Sequence, residues 1–165
     1  ASNSLSLPLA GWSLRGRGQA FQNEYDPTLG GPTLRSEPND LAASTPELSY
    51  PSGSSMALIA PFRTLSFVVR DEAQFSVEIT LGTADRKSTR LRYQAELTAP
   101  SIRHRRALLP LVLSAAEDSP YKLAIIDLAS DLALVTPEAP ISSVLRIRMR
   151  GRFRAGDIVL TDPIE

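Results

Sequence analysis

Apolar and polar residues alternate along this chain in short runs with a period of two, not with the period of a helix. In Gln74 to Leu81, Phe75, Val77, Ile79 and Leu81 fall on one face, with Ser76, Glu78 and Thr80 on the other. Such alternation marks a half-buried strand. Leu65 to Arg70 is a second strong run, and Thr89 to Gln94 returns across a hairpin turn at Gly82 to Ser88. Tyr121 to Ile126, Val144 to Phe153 and Asp157 to Leu160 complete the clear strands. Towards the N-terminus, Leu5 to Leu9, Gly11 to Arg15, Gln19 to Glu24 and Thr33 to Arg35 read as shorter strands, with Ala57 to Ala60 as a further short one. Ala107 to Leu113 is apolar but contains Pro110, which predicts an edge strand or a bulge. Only Asp127 to Ala133 reads as a helical turn, with Asp127 as its N-cap.

The count is nine to eleven strands, spaced as in an all-β sandwich. The 13 prolines spread through the chain agree with the near absence of helix. Residues 36–55 break the pattern: Pro38, Pro46, Pro51 and Gly53 among Ser, Asn and Asp predict a long loop, or else a pair of irregular edge segments, inside a single domain over 1–165. No internal repeat is visible.

Composition narrows the function. With 42% hydrophobic and 22% charged residues, the 165-residue chain is globular and long enough for one core. Lys plus Arg and Asp plus Glu balance at 18 each, which disfavours a nucleic-acid binder driven by bulk charge. Cysteine is absent and His104 is the single histidine, so thiolate metal sites and multi-histidine sites are excluded. No apolar run is long enough to span a bilayer. Ala1-Ser2-Asn3 opens without a leader-like segment. No nucleophile elbow, phosphate loop or dinucleotide fingerprint occurs, and His104 has no evident partner, so a non-enzymatic role is expected. Asp127 and Asp131 fall in a connecting segment, where capping and solvation explain them better than paired acid–base work.

The most informative chemistry is the run from Leu145 to Arg154. As a strand it turns Leu145, Ile147, Met149 and Phe153 inward and sets Arg146, Arg148, Arg150, Arg152 and Arg154 on the other face, unless a bulge at Gly151 shifts the register. A row of guanidiniums suits an anionic polymer, because each pairs bidentately with carboxylate or sulfate. The plainer alternative is a solvated face neutralised by Glu78, Asp71 or Glu96. Arg90 and Arg92 extend the row, and Arg103 to Arg106 make a second basic cluster in a loop. Tyr93 and Tyr50 are the preferred rings for stacking on a sugar, whereas Trp12 reads as core. Asp157, with Glu24 and Asp26, offers oxygen ligands for a Ca²⁺ ion; the alternative is a strand-end Asp157.

Two stretches carry a resemblance. Gly11-Trp12-Ser13-Leu14-Arg15-Gly16 followed by Leu29-Gly30-Gly31-Pro32-Thr33-Leu34-Arg35 resembles the opening of galactose-binding-like jelly-roll modules. Tyr121 to Asp131 and then Ile147 to Leu160 resemble their close. The resemblance implies a jelly-roll β-sandwich that binds polysaccharide, an extracellular or periplasmic setting, and one structural Ca²⁺ at Asp157. The chain departs from that pattern in having one Asp where two are common, and Tyr121 and Leu123 where a Trp is common. The expected function is a non-catalytic carbohydrate-binding module for an acidic polysaccharide, using Arg146, Arg148 and Arg150 with Arg92, Tyr93 and Tyr50. The alternative is a protein-interaction or structural module of a larger bacterial surface or envelope assembly. An accessory domain of a polysaccharide-active enzyme is a third reading.

Overall fold

The computed structural model describes residues 4–15, 18–38, 46–51, 62–116 and 118–162. It is an all-β sandwich of jelly-roll type with one short helix. The strands are β1 (Ser4–Ser6), β2 (Ser13–Arg15), β3 (Gly18–Asp26), β4 (Gly31–Pro38), β5 (Glu47–Tyr50), β6 (Thr64–Thr83), β7 (Ser88–Gln94), β8 (Ser101–Arg103), β9 (Arg106–Pro110), β10 (Leu113–Ala115), β11 (Lys122–Asp127) and β12 (Ile141–Thr161), with helix α1 (Leu128–Val135) before the last.

Two long antiparallel strands, β6 and β12, form the spine and belong to both layers. Over Thr64–Val69, β6 pairs with β11 on its other side, and β11 with β10. The second half of β12 there takes β4 and β1 on its free edge, with β3 beyond β4. This is the first half-sheet. Over Ser76–Gly82, β6 pairs instead with β7, followed by β9 and β8. The first half of β12 there takes β5 and then β2, which completes the second half-sheet.

The corner between the halves is built from backbone. Asp71 and Gln74 of β6 hold φ of 55° and 51°, and Gly151 of β12 holds φ of 108°. The pairing register slips on both sides of Arg152. A Cβ on Gly151 would stand 2.4 Å from the Gln74 carbonyl oxygen, so glycine is required by space as well as by torsion. The two alternating runs expected over 65–70 and 74–81 are therefore one bent strand, as are the two closing runs. Phe67, Phe75 and Phe153 meet inside the bend, with ring centroids 6.0 and 5.2 Å apart. Leu65, Val69, Val77, Ile79, Leu81, Ile147 and Met149 of the two spine strands also lie in the core, with no solvent exposure.

Three local readings change. Residues 36–55 are not one loop: β4 runs on through Pro38 and β5 lies within the span. Pro110 ends β9, and β10 begins after it. Arg103 to Arg106 is not a loop but a tight hairpin, with Arg103 and Arg106 paired across β8 and β9. The helical turn at Asp127 is α1, whose first turn is capped as expected: the Asp127 carboxylate accepts from the Ser130 backbone N–H. The short strand expected over 57–60 lies outside the described residues.

Candidate functional site

The outer face of the second half-sheet carries the polar chemistry. Ladder partners there form rows across the strands. Glu47, Arg150, Ser76 and Gln94 stand opposite one another in turn along β5, β12, β6 and β7. One step along, Ser49, Arg148, Glu78 and Arg92 form the next row, and Arg146, Thr80 and Arg90 the third.

Two of the arginines expected to bind ligand already hold carboxylates. The Arg148 guanidinium donates to Glu78 at 3.1 Å and lies 3.5 Å from Glu47. Arg150 donates to the other Glu47 oxygen at 3.0 Å. Arg146 is buried. Arg92, also expected, has no side-chain partner among the described residues.

Two contiguous depressions lie on this face. The smaller, of about 150 Å³, is lined by Glu47, Ser76, Glu78, Arg90, Arg92, Arg148 and Arg150. The larger, of about 440 Å³, is lined by Glu72, Gln74, Phe75, Ser76, Arg92, Gln94, Ala95, Glu96 and Arg150. Ser76, Arg92 and Arg150 belong to both, so the two form one groove running along β6 and β7. Within it the Gln74, Gln94 and Glu96 side chains form no internal hydrogen bond among the described residues. Sequence reading missed the two glutamines, although the alternation of β6 and β7 already set Ser76 and Gln94 on the arginine face.

The two tyrosines proposed for stacking are not on this face. Tyr93 follows Arg92 and so points inward; it is 3% exposed, and its hydroxyl donates to Asp131 at 2.6 Å. Burial and this carboxylate push the Tyr93 phenol pKa well up, while burial raises that of Asp131. Tyr50 packs against Trp12 with ring centroids 5.6 Å apart, and Trp12 is core as expected. The groove thus offers hydrogen bonds and charge, and the one aromatic residue in its lining, Phe75, is buried in the core.

The residues proposed for Ca²⁺ do not fit the ion. Asp26 is buried, accepts from the Tyr121 hydroxyl at 2.5 Å, and lies 3.3 Å from both Arg70 and Arg154. The Tyr121 hydrogen bond, with the Thr28 N–H and the two arginines, holds its pKa at about 2. Glu24 is shared by Arg35 at 3.0 Å and by Arg154. Their negative charge is spent on guanidiniums, and Asp157 stands apart on an exposed positive-φ bulge. Among the described residues no group of three acids or histidines is placed to hold a metal ion.

The far end of the second half-sheet is clasped by charge. Arg105 pairs with Asp85 of the β6–β7 turn and donates to Thr83 at 3.2 Å. His104 lies 2.7 Å from Glu138 of the α1–β12 connection, a partner 34 residues away in sequence. That contact, chiefly, lowers the Glu138 pKa.

No protein-family model matches the chain, and no curated protein matches it. Among solved structures it is similar to the K1 cleaved adhesin domain of Lys-gingipain from Porphyromonas gingivalis W83, with TM-score 0.45 and 15% identity over 100% of this chain and 99% of that one. It is also similar to the CBM22-1–GH10 modules of the endo-1,4-β-D-xylanase 10B of Clostridium thermocellum, solved with xylohexaose (TM-score 0.41, 13% identity, 100% of this chain and 28% of that one). The family 11 carbohydrate-binding module of the same organism, solved with a mixed-linked tetrasaccharide, gives TM-score 0.36 and 10% identity over 100% and 89%. At these TM-scores and identities the likenesses transfer neither a site residue nor a function to this chain.

Proposed function

We propose that this chain is a non-catalytic carbohydrate-binding module whose ligand lies in the groove on the outer face of the second half-sheet, with an acidic polysaccharide preferred. The observation that carries this reading is the continuity of the two depressions through Ser76, Arg92 and Arg150. From Arg90 to Gln94, β7 alone extends about 13 Å at roughly 3.3 Å per residue. A groove of that length, edged by two free amides, a free carboxylate and a free guanidinium, suits a linear chain of hydroxyl-bearing units. Recognition runs through hydrogen bonds rather than ring stacking, since Tyr93 and Tyr50 are turned away. A surface or secreted setting accords with such a ligand. No helix of the described residues is long and apolar enough to cross a membrane.

Affinity electrophoresis through gels holding neutral or acidic polysaccharides tests this. Retardation that weakens in Arg92→Ala and in Gln94→Ala supports the groove. Free migration in every gel overturns the reading, and favours an acidic protein partner for the same face.

A further inference from the structure

Arg103 of β8 stands directly opposite Arg106 of β9, Arg106 opposite Arg90 of β7, and Arg90 opposite Thr80 of β6. Ladder partners share a face, and all three arginines are exposed. The row crosses the strands at right angles to the arginine run of β12. Neighbouring strands lie about 4.8 Å apart, so the three stems rise within about 10 Å of one another. Among the described residues, none of these three guanidiniums has an ion-pair or side-chain hydrogen-bond partner. Of the neighbouring cations, Arg105 turns to Asp85 and Arg148 to Glu78, while Arg92, next to Arg90 in the smaller depression, is open like the row. Like charges directly opposite one another destabilise a sheet. Three in a row with no acid among them cost stability in the free protein, and an outside anion offsets that cost. Elsewhere on the same half-sheet, Arg148 and Arg150 face carboxylates supplied by the fold itself.

We propose that Arg90, Arg103 and Arg106 form the anion-binding row of the carbohydrate site, and that its ligand is a polysaccharide bearing a carboxylate on most of its units. The proposal rests on the carbohydrate-binding reading given above. The row meets the groove at Arg90, which lines the smaller depression. Each guanidinium presents a planar fork that a carboxylate matches bidentately. A polyuronate fits this row better than a sparsely charged glycan, because the three forks are close together and equivalent.

The test is affinity electrophoresis of the full chain against polygalacturonate, hyaluronan, neutral hydroxyethyl cellulose, poly-glutamate and duplex DNA, at low and high salt. The expected order is polygalacturonate above hyaluronan above the neutral polymer, with the difference fading in salt. Arg103→Gln with Arg106→Gln, which line neither depression, should weaken polygalacturonate binding about tenfold or more, the factor that corresponds to roughly 1.4 kcal/mol. Binding to the neutral polymer should not change, and the melting temperature should hold or rise as repulsion within the row is relieved; Arg103→Gln alone should show the smaller loss. Polygalacturonate binding that survives the double substitution overturns the proposal, as does equal retardation by poly-glutamate or DNA. Binding of the neutral polymer with no gain from uronates removes the row and leaves the carbohydrate reading standing. Binding of no polysaccharide at all removes both.

Discussion

Both half-sheets close arginines onto their own carboxylates, but the second also leaves a row of them open. In the first, Arg35, Arg70 and Arg154 converge on Glu24 and Asp26, with Glu37, Asp71 and the Tyr121 hydroxyl completing a closed network. The network ties the β3–β4 hairpin to both spine strands and to the residue leading into β11. In the second, Arg90, Arg103 and Arg106 stand exposed in a row with no acid. Arg154 and Arg148 lie on the same strand, six residues apart in sequence, yet the corner at Gly151 sends them to different half-sheets. Guanidiniums that the fold neutralises itself hold the fold together. Those it leaves open are available to a ligand.

The largest expected effect comes from removing the corner that separates these regions. Gly151→Ala brings a Cβ against the Gln74 carbonyl at a φ that L-residues rarely adopt, and should cost about 3 kcal/mol or more of unfolding free energy in urea titrations. Asp26→Asn should cost on the order of 3 kcal/mol, because it leaves Arg70 and Arg154 half-buried around a neutral side chain. It should leave the glycan affinity of the folded protein unchanged.

The same carboxylate sets an acid limb. Its folded pKa, about 2, lies below the ordinary value near 4 of the unfolded chain. Above about pH 4 the group is charged in both states and its stabilisation is fully present. As pH falls towards 2 the unfolded chain takes up the proton first and that stabilisation is lost. Urea midpoints should therefore drop over this interval in the native protein, and drop less in Asp26→Asn. The smallest effect sharpens the contrast most. Arg154→Ala should lower stability by about 1 kcal/mol or more, since it strips a partner from buried Asp26. Arg106→Ala should stay within about 0.5 kcal/mol of the native protein, on the stabilising side, because it relieves repulsion within the row. Thermal melts of the two variants in parallel decide this.

The strand content, the hairpin of β6 and β7, and α1 with its Asp127 cap follow from local pattern, because each depends on neighbours in sequence. The bend in β6 does not, since Asp71 and Gln74 adopt positive φ without being glycine. β5 was hidden for a similar reason: Glu47 to Tyr50 is a four-residue alternation between two prolines, stabilised by β12 and β2 rather than by its own composition. The arginine-rich face was legible; its partition was not. Which arginines meet a carboxylate depends on the register of β5, β6 and β12, and which remain open depends on the parallel pairing of β7 with β9. The inward turn of Tyr93 was legible, because it shares the parity of Leu91 and not of Arg92.

The central claim is that open and closed arginines differ in function, and arginine side-chain NMR tests it most directly. Nε–Hε resonances of the whole protein would be followed during titration with oligogalacturonate. Shifts concentrated at Arg90, Arg103, Arg106 and Arg92, with Arg35, Arg70 and Arg154 unmoved, are the predicted result. Shifts spread evenly over both sets, or centred on the Glu24–Asp26 network, would contradict the account.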